Sequence, residues 1–172
     1  MKKPFILRFV CAIFLSVFMC TLAAQDGVTT QNEDYYKQFQ DLENGELRSF
    51  FFFNTPNRYN QNSPYDWLDT VKVYLNSSEK TKDSISIRNY QLIESQIYYD
   101  LGNYEKSLAI ARPLYDDLSN LDLDSKHIIL DILDSNYAKL ELYDKQIEIR
   151  RVKRELGLTD NVAFYDIYAS LG

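Results

Sequence analysis

The stretch Tyr98-Tyr99-Asp100-Leu101-Gly102-Asn103-Tyr104-Glu105-Lys106-Ser107-Leu108 decides the fold of this chain. It predicts a tight turn between two antiparallel helices, because Gly102 follows a helical pattern and readily takes the left-handed conformation that ends a helix. Weaker copies of the stretch begin at Tyr137 and at Tyr168. A helix pair that recurs at such an interval, on the order of 35 residues, is typical of a solenoid.

This spacing resembles that of the tetratricopeptide repeat. The first copy matches the family pattern at Tyr98, Leu101, Gly102, Tyr104 and Ser107. The second copy keeps Tyr137, Leu140 and Tyr143 but has Glu141 in place of the glycine and Gln146 in place of the small residue. We therefore expect looser or shifted helix packing in the second copy. The third copy supplies Tyr168, Leu171 and Gly172.

The resemblance covers residues 84–172 and implies an all-α, right-handed solenoid of antiparallel helix pairs with an incomplete last repeat. It also implies a concave face that binds a peptide or protein segment, with no enzyme activity and no cofactor. Exported repeats of this style are similar to the sensor parts of bacterial membrane histidine kinases and related regulators. In those proteins the repeats precede a membrane helix and a cytoplasmic output domain.

The N-terminal residues 1–24 predict a secretory signal peptide. Basic residues come first, a run of about 14 largely apolar residues follows, and Ala23-Ala24 closes the segment. The apolar run is shorter than the ~20 residues that a spanning helix needs. An uncleaved anchor or a lipidated Cys20 is the alternative. We expect an exported protein at the periplasmic or extracytoplasmic face of the membrane, with residues 25–32 as a flexible leader.

Charge and cysteine content exclude several classes of function. Both cysteines, Cys11 and Cys20, lie in the signal segment, so the mature chain has no disulfide framework and no thiolate site. Removing the three basic residues of 1–24 changes the formal net charge of −6 to −9. This acidic balance disfavours nucleic acid and anionic membrane surfaces as partners.

Residues 33–83 predict an N-terminal helical region with an aromatic plug. Four consecutive phenylalanines, Phe50 to Phe53, are interpreted either as buried plug residues or as an exposed binding patch. Ser63 and Pro64 suit the cap and first position of a helix. The polar residues 76–83 are interpreted as a connector.

The repeat region predicts five helices, which the apolar pattern places at 84–101, 104–118, from a cap at Asp124 or Ser125 to 140, from 142 or 143 to 156, and 161–171. Pro113 predicts a kink or a break in the second of them. Ile85 is expected on the apolar stripe of the first.

No residue pattern in the chain indicates catalysis or metal binding. His127 is the only histidine, and Asp122 and Asp124 lack the other ligands of a calcium loop. The one candidate binding patch is the basic cluster Arg150, Arg151, Lys153 and Arg154. It suits an acidic partner or a neighbouring subunit, and its charge also complements the helix dipole.

Two hypotheses of function remain at this stage. The first is a protein–protein interaction module that forms the extracytoplasmic sensing or scaffolding part of a longer signalling protein. On this hypothesis the chain is truncated, and the membrane is contacted only through the signal, an anchor or a missing C-terminal part. The second is a stand-alone binding protein for a peptide or a saccharide. In either case the apolar last helix, 161–171, is a candidate for self-association.

Overall fold

Helices account for all regular secondary structure in residues 34–158, the part of the chain that the computed structural model describes. They are α1 (Tyr35–Asp41), α2 (Gly45–Asn54), α3 (Pro64–Thr81), α4 (Ser84–Asp100), α5 (Tyr104–Asp116), α6 (Leu123–Lys139) and α7 (Tyr143–Glu155), with a 3-10 turn at Leu118–Asn120. The all-α fold class is thereby confirmed. The expected signal segment, the leader and the helix at 161–171 lie outside the described residues.

The helices pack in two layers. Helices α2, α4 and α6 form one layer, in which α4 contacts both α2 and α6. Helix α3 packs against α4, α5 packs against α4 and α6, and α7 packs against α6. Each helix of the second layer therefore lies against the helices of the first, and α4 is the most enclosed helix.

The N-terminal half is held by an aromatic cluster centred on Trp67 of α3. The Trp67 ring is fully buried and lies 4.9 Å from Phe39 and 5.6 Å from Phe52, measured between ring centroids. Large aromatic side chains provide much of the apolar area that a small domain buries. Of the four phenylalanines, Phe52 is buried, Phe51 and Phe53 are half-buried, and Phe50 is 70% exposed. Both interpretations of the run therefore hold for part of it, since Phe52 is a buried plug residue and Phe50 is exposed.

The C-terminal half has an aliphatic core between α4, α5, α6 and α7. Its buried members are Leu92, Ala111, Leu121, Ile129, Leu130, Ile132, Leu133, Tyr137 and Ile149. Phe53 of α2 packs against this core and against the aromatic cluster. The two halves are therefore continuous.

Arg48 of α2 is buried and caps the C-terminus of α1 through hydrogen bonds. It is 8% exposed, and its guanidinium donates to the backbone carbonyls of Phe39, Gln40 and Leu42. The last carbonyls of a helix lack partners within it, and a cation there also complements the helix dipole. Nη1 of Arg48 donates to the Tyr90 hydroxyl at 2.7 Å, which ties this cap to α4.

Several boundaries differ from those expected. The connector predicted at 76–83 is wrong, because α3 continues to Thr81 with its polar residues exposed and ends at Lys82, whose φ is 57°. The cap of α6 is Asp122, not Asp124 or Ser125. Of the kink or break expected at Pro113, the break does not occur, because α5 continues through this residue. Ile85 is 54% exposed and lies outside the core.

Candidate functional site

The α4–α5 and α6–α7 turns have the same backbone geometry. The Asn103 amide donates to the Tyr98 carbonyl at 2.8 Å, and at the equivalent positions of the next copy the Leu142 amide donates to the Tyr137 carbonyl at 2.9 Å. The residue that reverses the chain is left-handed in both turns, with φ of 74° at Gly102 and 57° at Glu141. The missing glycine therefore does not shift the second turn.

The helices that precede these turns begin alike. The Asp83 carboxylate accepts from the Ser86 amide at 3.1 Å, and at the equivalent positions of the next copy the Asp122 carboxylate accepts from the Ser125 amide at 2.8 Å. Hydrogen bonds from Ser86 lower the pKa of Asp83. Burial raises the pKa of Asp122, but the hydrogen bonds from Ser125 outweigh burial and leave it below its ordinary value. Helices α4 and α6 thus begin and end with the same hydrogen bonds.

The first tyrosine of each copy lies between two cations from the second layer. The Tyr98 ring has Lys72 of α3 and Lys106 of α5 at 5.6 and 5.3 Å from its centroid. The Tyr137 ring has Lys145 of α7 at 5.7 Å, and its hydroxyl accepts from Arg112 of α5 at 3.0 Å. Cations near an aromatic face are attracted by the ring quadrupole. Each tyrosine therefore links its own helix pair to the preceding one.

The other described residues of the repeat pattern differ in burial. Leu101 is half-buried beside the aromatic cluster, and the Tyr104 ring lies 5.5 Å from that of Tyr99. Leu140 is half-buried, whereas Tyr143 is 59% exposed. The third copy, Tyr168, Leu171 and Gly172, lies outside the described residues.

A buried polar group joins α4, α5 and α6 around Ser107, the small residue of the first copy. Ser95 and Ser107 are fully buried with their Oγ atoms 3.1 Å apart, and Asn136 Nδ2 donates to Ser107 Oγ at 2.8 Å. Asn136 Oδ1 is buried and has no hydrogen-bond partner, so the group is only partly satisfied. The hydrogen bonds that it does make tie α4, α5 and α6 to one another. Ser107 belongs to the repeat pattern and was predictable from the sequence. Ser95 and Asn136 were not, because they resemble ordinary polar positions of an amphipathic helix.

Helix α4 has one open side. At about 100° per residue, Ser86 and Tyr90 face α2, Glu94 faces α3 and Ser95 faces α5, as their contacts confirm. The side opposite α3 and α5 consists of Ile85, Asn89, Gln96 and Asp100, which are exposed or partly exposed.

Helical spacing from Phe53 places Phe50 of α2 next to this side of α4. Phe53 lies three residues after Phe50 on the same face of α2, and it packs against the aliphatic core to which Leu92 of α4 belongs. Phe50 is not part of this core, and its side chain is 70% exposed. We call Phe50 of α2 together with Ile85, Asn89 and Gln96 of α4 the inner strip. It combines exposed apolar side chains with two amides. Asn89 Nδ2 donates to the Ile85 carbonyl and Gln96 Nε2 donates to Asp100 Oδ1, which leaves each amide its oxygen and one N–H for a ligand backbone.

The basic cluster on α7 is largely engaged with α6. Arg150 Nε lies 2.8 Å from Asp134 Oδ1, and Lys153 Nζ lies 2.5 Å from Asp131 Oδ1. His127 Nε2 lies 3.3 Å from the other oxygen of Asp131. Arg151 and Arg154 are exposed. The structure therefore gives Arg150 and Lys153 a role in joining α7 to α6.

Comparison with protein-family models, with curated proteins and with solved structures gives no match. Within residues 34–158, no three or more His, Cys, Asp or Glu side chains are grouped to hold a metal ion. In the same part of the chain, no helix has the length and apolar character to cross a membrane.

Proposed function

We propose that this chain is an exported, tetratricopeptide-like solenoid that binds a protein or peptide segment on its inner strip. The observation that carries the proposal is the repeat of contacts along the chain, in which the same cap, turn and tyrosine–cation arrangement occurs in α4–α5 and α6–α7. A structure built from stacked helix pairs presents an extended surface, which such proteins use for binding.

The chemistry of the inner strip favours a peptide ligand over a saccharide. An exposed phenylalanine and isoleucine provide apolar anchors, and Asn89 and Gln96 provide amide donors and acceptors for an extended backbone. A saccharide site would need exposed aromatic faces in a cluster. The single tryptophan, Trp67, is fully buried. A stand-alone peptide- or saccharide-binding protein is the alternative to the proposal.

The setting we propose is the extracytoplasmic sensing or scaffolding part of a longer signalling protein. The signal-like residues 1–24 support export. Reading the DNA beyond the codon for Gly172 tests this setting. Further helix pairs and a membrane span in the same frame would support it, and a stop codon would favour the stand-alone alternative.

Peptide selection tests the binding function directly. The purified chain is used to select binders from a random peptide library, and the dissociation constants of the selected peptides are measured by calorimetry. Phe50→Ser should weaken binding at least tenfold, because an anchor residue typically contributes more than about 1.4 kcal/mol. The matched control is Val73→Ser on α3, which is 65% exposed in the other layer. Equal effects of the two variants would refute the proposed site.

A further inference from the structure

Helix α4 ends in an aspartate that has no cationic partner among the described residues. Within residues 34–158, three helices end at an aspartate: α1 at Asp41, α4 at Asp100 and α5 at Asp116. In α1 and α5 a cation four residues earlier pairs with that aspartate. Lys37 Nζ lies 3.0 Å from Asp41 Oδ2, and Arg112 Nε lies 3.7 Å from Asp116 Oδ1. In the same part of the chain, no lysine, arginine or histidine forms an ion pair with Asp100.

Two neutral side chains hold the Asp100 carboxylate instead. Gln96 occupies the position of the missing cation, four residues earlier, and its Nε2 donates to Asp100 Oδ1 at 2.7 Å. The Tyr59 hydroxyl, from the segment between α2 and α3, donates to Asp100 Oδ2 at 2.7 Å. Burial raises the pKa of the Tyr59 hydroxyl, and the hydrogen bond to Asp100 raises it further, so Tyr59 remains a donor. The carboxylate is therefore fixed in orientation, with about two of its four lone-pair sites still free.

The charge of Asp100 opposes the dipole of α4. The C-terminal end of a helix carries partial negative charge, so a carboxylate there is unfavourable unless a cation neutralises it. The last turn of α4 contains no basic residue. Asp100 is exposed, and it lies on the same open side of α4 as the inner strip. A cation that arrives with a ligand would therefore offset both the carboxylate and the helix end.

Given the proposed function, we propose that the peptide bound on the inner strip carries a lysine or arginine side chain that pairs with Asp100. The pairing rests on that function and specifies the charge of its ligand. The acidic balance of the chain, with 25 Asp and Glu against 19 Lys and Arg, suits a basic ligand.

The structure also sets the distance between this cation and an apolar anchor. Helices α2 and α4 are parallel, since their hydrogen bonds advance in the same direction along both, and Gly45 of α2 is level with Ser86 of α4. From this level, Asp100 lies about 14 Å further along the helix axis than Phe50 at the rise of an α-helix. An extended peptide rises about 3.3 Å per residue, so it spans this distance in about four residues. The ligand should therefore have an apolar residue and a basic residue about four positions apart.

A double-mutant cycle between ligand and protein tests the pair. Each peptide selected from the random library is compared with a version in which its basic residue is replaced by glutamine, on the wild-type chain and on Asp100→Asn. The replacement should weaken binding to the wild type about fivefold, near the upper limit for an exposed ion pair, and should leave binding to Asp100→Asn nearly unchanged. High salt should reduce the wild-type factor, because exposed charges are screened.

The matched control is Asp116→Asn. Asp116 also ends a helix, but it pairs with Arg112 on α5, which belongs to the other layer. In this variant the basic residue of the peptide should keep its full effect on binding. Circular dichroism of both variants checks that their helices are intact.

The outcomes separate this pair from the proposed function. Peptides that Phe50→Ser weakens but that show no coupling to Asp100 would overturn the pair and leave the proposed function standing. Coupling to Asp100 without any effect of Phe50→Ser would also overturn it, because the cation would then not belong to a ligand of the inner strip. An absence of binders, or binders that neither variant weakens, would refute the proposed function and the pair together.

Discussion

Glu141→Gly should stabilise this protein, although it removes a side chain. Glu141 reverses the chain between α6 and α7 with a φ of 57°. A left-handed conformation costs a residue with a Cβ atom about 1–2 kcal/mol relative to the right-handed one. Glycine does not have this cost, but it loses about 0.5–1 kcal/mol through its greater freedom in the unfolded chain. The net gain is about 1 kcal/mol, equivalent to a rise in Tm of about 3 °C.

The first turn provides the matched control. Gly102 takes the same conformation, with a φ of 74°, and a Cβ atom added there would meet no other atom within 4 Å. Gly102→Glu therefore measures the backbone cost without a steric clash and should lower stability by about 1 kcal/mol. The double variant, with the two residues exchanged, should unfold close to the wild type because the sites lie in separate turns.

Thermal and urea unfolding of the four proteins, followed by circular dichroism, measures these changes. A Glu141→Gly variant that is less stable than the wild type would refute the reasoning. It would mean that the Glu141 side chain makes a stabilising contact that outweighs its backbone cost.

Three further changes have defined outcomes in the same unfolding assays. Arg48→Met leaves the backbone carbonyls at the end of α1 without donors and should cost about 3 kcal/mol, whereas a loss below about 1 kcal/mol would contradict the role of Arg48 as a cap. Gly45→Ala places a Cβ atom 2.8 Å from Ser86 Cα and should cost about 1–3 kcal/mol, and a neutral result would show that α2 and α4 separate easily. Asp122→Ala should cost about 1 kcal/mol at pH 7. Because the folded pKa of Asp122 lies below its ordinary value of 3.8, this stabilisation is complete above that value and is lost as the pH falls through the folded pKa. A difference between wild type and variant that persists unchanged in acid would contradict that cause.

The helices of the repeat region were predictable because periodicity and turn chemistry agree there. Gly102 ends α4 where the apolar pattern ends, and the Tyr98 and Tyr137 copies mark equivalent turns. The end of α3 was not predictable, since Asn76 to Thr81 form its exposed last turns and their polarity resembles that of a loop. Solvent-exposed helix ends carry no apolar signal, so only the left-handed Lys82 marks the boundary.

The candidate site was predictable in kind but not in its residues. The phenylalanine run was visible, yet which of its members stays exposed depends on where α2 meets α4 through Gly45 and Ser86. The basic cluster on α7 looked like a binding patch because the sequence does not show that Asp131 and Asp134 face it from α6. Ion pairs between two helices depend on how the helices pack, and the spacing of residues along the sequence does not show this.

The measurement that tests the central claim most directly is a hydrogen-exchange footprint of a selected peptide on the full-length chain. Binding on the inner strip predicts slower amide exchange in α2 and α4, around Phe50 and Asn89, with no change in α3. Slower exchange confined to α3, around Val73, or to α7, around the exposed Tyr143 and Ile147, would contradict the claim that the inner strip is the binding surface.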